Sequence, residues 1–303
     1  MSIHFHVLAS GSSGNACLLD AGGFGVLIDC GLAARHLEPR LRALGLTWER
    51  IQAVLLTHEH SDHWKSSMVR QFAKLGVTVY CHPDHADAFA GMCRSFTTLR
   101  ESGLVRHYEP GRRLELHAAC TCVPIALDHD GLQTHGFRLE GVARRGEPWG
   151  VGYAADLGCW QPKLAQHFAD VDVLAVEFNH DVAMQLASGR SPYLIRRVLG
   201  DHGHLSNEQG AALLAEVLRR SSPGRVKHLV QLHLSRDCNT AKLAQRAADR
   251  VLREHDAELA VHTTQQGRAG PSIAVGSRSA AKRRARTEAL ATFVQPMLPF
   301  GDR

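Results

Sequence analysis

Hydrophobic and polar positions along the chain fall into short segments whose period switches repeatedly. Residues 3–9 (IHFHVLA) and 16–20 (ACLLD) are apolar runs flanking the turn Ser10-Gly11-Ser12-Ser13-Gly14-Asn15, and they predict two strands. A third strand, Gly25–Asp29, follows the turn Ala21-Gly22-Gly23. Residues 32–45 predict a helix ending at Gly45, and 51–56 (IQAVLL) a buried strand running directly into Thr57-His58. A helix near 64–75, a strand at 77–81 and a helix near 84–92 follow. The middle is strand-rich, at 104–108, 112–117, 120–127, 134–140 and 149–154. Beyond it, helices near 160–168, 181–187, 192–199, 206–219 and 239–254 alternate with strands at 172–178, 226–232 and 258–262. Ser206 and Gln209 predict a capping box at the start of the fourth of these helices. The chain carries no repeat of fixed period. Both halves place strands first and helices later, which predicts two packed sheets with helices outside, a four-layer αββα sandwich.

Composition places limits on this picture. The 303 residues allow one large domain or two small ones, and 44% hydrophobic with 21% charged residues is ordinary for a soluble globular chain. The longest apolar runs, such as Ala53-Val54-Leu55-Leu56, are too short to span a membrane. The first residues lack the charged and apolar regions of a secretory signal. Cys17, Cys30, Cys81, Cys93, Cys120, Cys122, Cys159 and Cys238 are scattered without a CxxC pair, so reduced thiols in a cytoplasmic protein are expected.

The net charge of +5 is unevenly placed. Arg268, Arg278, Lys282, Arg283, Arg284, Arg286 and Arg303 face only Glu288 and Asp302 in residues 266–303, and that surplus equals the charge of the whole chain. Residues 1–265 therefore read as a charge-balanced folded domain, and 266–303 as a basic, disordered tail.

The strongest chemical signal is Thr57-His58-Glu59-His60-Ser61-Asp62-His63 directly after an apolar strand. In a loop leaving a strand, His58 and His60 can point at one metal while Asp62 and His63 turn toward a second. Imidazole with carboxylate suits Zn, Mn or Fe, and the absence of Cys argues against a closed structural zinc site. Two divalent metal ions about 3.5–4 Å apart can render a shared water nucleophilic at neutral pH and clamp an oxyanion.

HxHxDH after a strand resembles the signature of the metallo-β-lactamase superfamily, and other segments resemble its landmarks in order. Asp29 in Ile28-Asp29-Cys30-Gly31 matches the aspartate that orients the metal loop. His129 in Leu127-Asp128-His129-Asp130 and His233 in Leu232-His233-Leu234-Ser235 match further ligands, and Asp156 in Ala155-Asp156-Leu157-Gly158 matches the bridging carboxylate. The resemblance covers about residues 3–262. It implies one site from His58, His60 and His129, a second from Asp62, His63 and His233, and Asp156 between them.

The fold does not give the substrate, because lactamases, thioesterases, lactonases and nucleases share it. Leu8–Asn15, Glu177-Phe178-Asn179-His180-Asp181 and Gly200–Asn207 resemble segments of the YycJ/WalJ-like group. Gly203–Gln209 and the later Leu232–Ser235 resemble the spacing of ribonucleases of the Z type, where residues matching Glu177 and His204 form a proton-donating pair. Phosphodiester hydrolysis expels an alkoxide, and general acid help of that kind contributes about 10²–10⁴-fold. The alternative for these two residues is a surface position at a strand end and a helix start. No inserted domain and no long substrate-gripping arm is found, which favours the compact YycJ-like branch and implies a metal-dependent DNA exonuclease. Asp62, Glu177 and His204 are its expected catalytic residues. A small-molecule ester, thioester or cyclic-phosphodiester hydrolase is the alternative.

Weaker signals surround this core. The Ser10–Asn15 turn can cradle a phosphate or serve as a plain hairpin. Arg190, Arg196 and Arg197 can contact a phosphate backbone or simply cover a solvated helix face. His180 and His202 are expected to border the site. In the tail, Lys282–Arg286 can bind nucleic acid, and Gln295-Pro296-Met297-Leu298-Pro299-Phe300 resembles peptides that dock DNA enzymes on the replication sliding clamp.

Overall fold

A computed structural model describes residues 2–143 and 146–276. Two seven-stranded sheets face each other. The first holds β1 (Ile3–Ala9), β2 (Ala16–Ala21), β3 (Phe24–Ile28), β4 (Ile51–Leu55), β5 (Thr78–Cys81) and β6 (Val105–His107) in sequence order. Helices α1 (Ala34–Ala43), α2 (Ser66–Leu75), α3 (Pro83–Met92) and α4 (Arg94–Glu101) connect its strands. The second begins as an antiparallel run of β7 (Leu114–His117), β8 (Cys120–Leu127), β9 (Thr134–Val142) and β10 (Pro148–Ala154). It continues in parallel through β11 (Val173–Glu177), β12 (His228–Leu232) and β13 (Ala260–Thr263). Its helices are α5 (Pro162–His167), α6 (Val182–Leu186), α7 (Pro192–Leu199), α8 (Asn207–Arg220) and α9 (Ala241–Glu254).

Three apolar clusters cement the layers. Phe5, Leu19, Ile28, Phe137, Trp149, Val151 and Val230 fill the space between the sheets. Leu27, Val54, Met68, Phe72, Phe89 and Phe96 join the first sheet to its helices. Leu174, Val176, Phe168, Leu213, Leu214 and Ala248 do so for the second. The parallel strands bury both faces, which is why their sequences are continuous apolar runs rather than alternating ones. The four-layer sandwich is the one that the order of strands and helices predicts. The capping box is also present: Gln209 N donates to Ser206 Oγ, and Gln209 Oε1 accepts from Ser206 N.

Two elements depart from the reading of the sequence. Helix α4 is one that the sequence does not predict: the expected helix ends near 92 and nothing is expected before the strand at 104, whereas the chain turns at the extended Cys93 and re-enters a helix over Arg94–Glu101. The folded part also passes residue 265. Strand β14 (Ser272–Val275) pairs antiparallel with β1, and Ile273 and Val275 enter the central core. A four-residue edge strand after Gly270-Pro271 carries too short an alternation to stand out from a linker. The domain boundary therefore lies beyond the 265 expected. The basic cluster Lys282–Arg286 and the peptide Gln295–Phe300 lie outside the described residues. The eight cysteines are free and all but Cys159 are buried. No helix among the described residues is long and apolar enough to cross a membrane.

Candidate metal centre

The site lies where central strands of both sheets end. Strand β4 delivers the loop 57–63, β3 delivers Asp29, β10 delivers Asp156, and β12 delivers His233. Asp29, Asp156 and His233 have φ of 60°, 59° and 55°, and they are three of the five non-glycine residues with positive φ among those described. An L side chain in that region is costly and persists where its surroundings over-determine it. Here each of these residues sits just past a strand end, and each turns a ligand-type side chain inward.

Asp29 organises the loop. It is fully buried, accepts from Thr57 N at 2.9 Å, and accepts from His63 Nδ1 at 2.7 Å. The Thr57 hydroxyl lies 3.0 Å from Asp29 Oδ2, 2.9 Å from His58 Nδ1 and 3.1 Å from His63 Nδ1. A carboxylate behind an imidazole fixes its tautomer and aims the other nitrogen outward. The loop also needs Gly31: a Cβ there would stand 1.7 Å from the Asp62 carbonyl oxygen.

Three donor groups result, two of them overlapping. His58, His60 and His129 bring one nitrogen each within 4.8 Å of one another. Asp62, His63, Asp156 and His233 form a second such group, and Asp156 and His233 also belong to a third with Glu177 and His204. His129 Nδ1 donates to the Gly203 carbonyl at 2.8 Å, which leaves Nε2 as its lone pair. Asp156 lies between the groups, with Oδ2 2.5 Å from His63 Nε2 and 3.7 Å from His58 Nε2. His233 Nε2 is 3.6 Å from Asp62 Oδ2.

The donor set fits divalent cations. His58 Nε2 and His233 Nε2 are buried with no hydrogen-bond partner, an arrangement that leaves desolvation uncompensated unless a cation is held. Burial opposes a charged His63, but Asp29 and Asp156 on either side outweigh it and hold its pKa well above the ordinary imidazole value. Burial and the neighbouring His63 push His58 well below that value, so it offers a neutral nitrogen. Burial works against an ionised Asp156 too, but His233 and His63 keep it well below the ordinary carboxylate range. The imidazoles of His58 and His129, held neutral by burial, stand beside an ionised Asp156, and a cation bound there would take the place of the protons that the carboxylates hold on His63 and His233.

Glu177 and His204 meet at this centre. Glu177 is fully buried rather than at the surface. Its Oε2 accepts from the backbone N–H groups of Leu157 and Leu205, each at 3.1 Å. Its Oε1 accepts from His204 Nδ1 at 2.8 Å and lies 3.0 Å from His233 Nδ1. Burial would raise its pKa, but His204 and His233 bring it down to about 2. His204 loses some basicity to burial and regains more from Glu177, so its pKa is raised. Its side chain keeps 22% exposure, whereas those of His63 and Glu177 keep none.

Several residues at the centre carried no chemical signal in the sequence beyond lying in quoted segments. Asn15 Nδ2 is 2.9 Å from His63 Nε2 and 3.4 Å from Asp62 Oδ2, and Ser10 Oγ accepts from His233 N at 2.8 Å. The Ser10–Asn15 turn thus braces the metal loop. Asn179 Nδ2 donates to the His233 carbonyl at 2.8 Å. Asp130 Oδ1 lies 3.2 Å from His129 Nε2 and 3.7 Å from His60 Nε2, while its other oxygen accepts from Arg197 Nε at 2.5 Å. His180 is buried behind Glu177 and His204, and His202 stands exposed at the rim. Arg190 pairs with Asp237 at 3.0 Å.

A family model described as a β-lactamase superfamily domain matches residues 25–227. A Bacillus anthracis protein named exodeoxyribonuclease YycJ is 29% identical over 259 residues, spanning 84% of this chain and 90% of that one. A ribonuclease Z from Mycobacterium sp. (strain KMS) is 43% identical over 162 residues, 42% of this chain and 51% of that one. The crystal structure of the metallo-β-lactamase fold protein YhfI from Bacillus subtilis superposes with a TM-score of 0.62 at 18% identity, covering 90% of this chain and 99% of that one.

Proposed function

Given that the chain belongs to the β-lactamase superfamily and is a metal-dependent hydrolase, we propose that it is a phosphodiesterase that degrades DNA from an end, an exonuclease. His58, His60 and His129 would hold one divalent ion and Asp62, His63 and His233 a second, with Asp156 lying between the two groups; zinc or manganese, or iron, suits these donors. Bound there, the ions supply water activated at neutral pH and neutralise charge on the phosphate oxygens.

The chain's own residues do the rest. Asp29 and Thr57 keep the ring of His63 in one orientation. Asp62 belongs to the second donor group and would serve there as a ligand, with Asn15 at 3.4 Å from its carboxylate. Glu177 stays ionised and keeps a proton on His204. The ring of His204, bonded to Glu177 through Nδ1, offers Nε2 to the departing oxygen. That pair is the observation that carries the reading. A sugar alkoxide is a poor leaving group and needs a proton, while hydrolysis of a thioester does not. The name of the Bacillus anthracis relative supports DNA as the polymer.

The test is end-labelled linear DNA incubated with the protein and Mn²⁺ or Zn²⁺, with His60→Ala as control. The expected product pattern is progressive shortening that requires the metal and is lost in the variant. Absence of metal-dependent cleavage, together with turnover of a thioester or a cyclic phosphodiester, would replace this reading with that of a small-molecule hydrolase.

A further inference from the structure

Helices α6 and α7 lie between β11 and α8 in the chain and pack on each other, and α7 stands at the edge of the metal centre. Its placement follows from Asp130, which faces two candidate ligands with one oxygen and holds Arg197 of α7 with the other. The backbone agrees, since His204 N donates to the Val198 carbonyl of α7 at 3.0 Å.

This edge is unusually apolar for an exposed surface. Six large apolar side chains stand exposed among the described residues. Val182, Leu186 and Tyr193 lie on the α6–α7 hairpin, and Leu132 follows Asp130 in its loop. Tyr193 is the most exposed of all, at 72%. It shares one face of α7 with Arg196 and Arg197, three and four residues on, where helix neighbours come within about 5–6 Å. Tyr193 lies close to Arg197.

We infer that the outer face of α7, formed by Tyr193, Arg196 and Arg197, is the platform on which a single strand of nucleic acid lies as its terminal phosphodiester enters the metal centre. The inference rests on the phosphodiesterase reading above and adds the form of the substrate. A tyrosine face can stack only on a base that is not already stacked in a duplex, and alternating aromatic and basic groups are how single strands are held without sequence preference. Arg196, which has no ion pair among the described residues, matches the charge of the backbone, and the Arg197–Asp130 pair makes the platform continuous with the donor groups. A protein partner seated permanently on this face would cover the entrance to the centre.

The experiment uses the metal-loaded full-length protein and a fluorescein-labelled phosphorothioate oligo(dT), read by anisotropy over a range of salt. Tyr193→Ala should weaken binding about tenfold, and Tyr193→Phe should restore it. Arg196→Ala should lower the slope of log affinity against log salt by about 0.7, whereas Tyr193→Ala leaves the slope unchanged. Turnover of bis(4-nitrophenyl) phosphate, which has no base to stack, should be unaffected by all three substitutions. Wild-type affinity for oligo(dT) in Tyr193→Ala, or an equal loss on duplex DNA, would overturn the inference. The two readings fail separately: Tyr193-dependent binding without cleavage of any DNA would remove the nuclease assignment and leave the platform standing.

Discussion

Asp29 and Glu177 occupy matching places in the two sheets. Each lies at the end of a strand with a parallel neighbour, each is fully buried, and each accepts from the Nδ1 of a histidine. Their surroundings push them in opposite directions. Burial raises the pKa of Asp29 against the pull of His63 and Thr57, whereas His204 and His233 hold Glu177 at about 2. The histidines differ too, since the side chain of His63 has no exposure and that of His204 keeps 22%. One carboxylate holds a ligand still inside the core. The other keeps a proton on a ring that reaches solvent. In the proposed mechanism the two pairs are different devices: the enclosed ring of His63 is held in place, and the exposed ring of His204 is left to donate.

Breaking the Asp29 side should have the largest effect. Asp29→Ala strips Thr57 N and His63 Nδ1 of their acceptor, and loss of one partner from a buried pair costs about 3–5 kcal/mol. Thermal unfolding should shift down clearly. The milder Asp29→Asn should retain the fold and lower metal affinity about 10–100-fold, read by metal analysis after dialysis.

His204→Ala should come next. It is expected to lower kcat on DNA by about 10²–10⁴-fold with metal content unchanged. Glu177→Gln should do less harm, because the amide oxygen can still accept from Leu157 N or Leu205 N. Its diagnostic is pH. Glu177 raises the pKa of His204, so removing its charge lowers that pKa, and the alkaline limb of the kcat profile should move to lower pH. A shift in the other direction, or none, would separate the two residues functionally.

Asn15→Ala should be the smallest of these changes. The side chain braces His63 and Asp62 through its amide and has no group that titrates. A loss within about 1–3 kcal/mol in unfolding stability is expected, with kcat changed far less than in His204→Ala.

These comparisons also show what the sequence made legible. The loop 57–63 could be read because four ligand-type residues crowd into six positions at a strand end, a density that local structure alone does not require. Asp29, Asp156 and His233 stand alone in the sequence and could be singled out only because their segments resemble the superfamily's landmarks in order. What could not be read was the turning of the backbone at each of them, seen in their positive φ, which is set by packing of both sheets. Asn15, Asn179 and Asp130 were invisible as partners, because a hydrogen bond between residues 48 or 54 apart leaves no local pattern. Strand β14 escaped for a related reason, since its stability comes from pairing with β1 at the other end of the chain.

The account stands on His204 as the proton donor to a poor leaving group. The direct test compares wild type and His204→Ala, at equal metal content, on DNA and on a phosphodiester with a 4-nitrophenolate leaving group. If His204 supplies the proton, the variant loses about 10²–10⁴-fold on DNA and little on the nitrophenyl ester, which leaves without protonation. An equal loss on both substrates would contradict the account and assign His204 to holding the centre together.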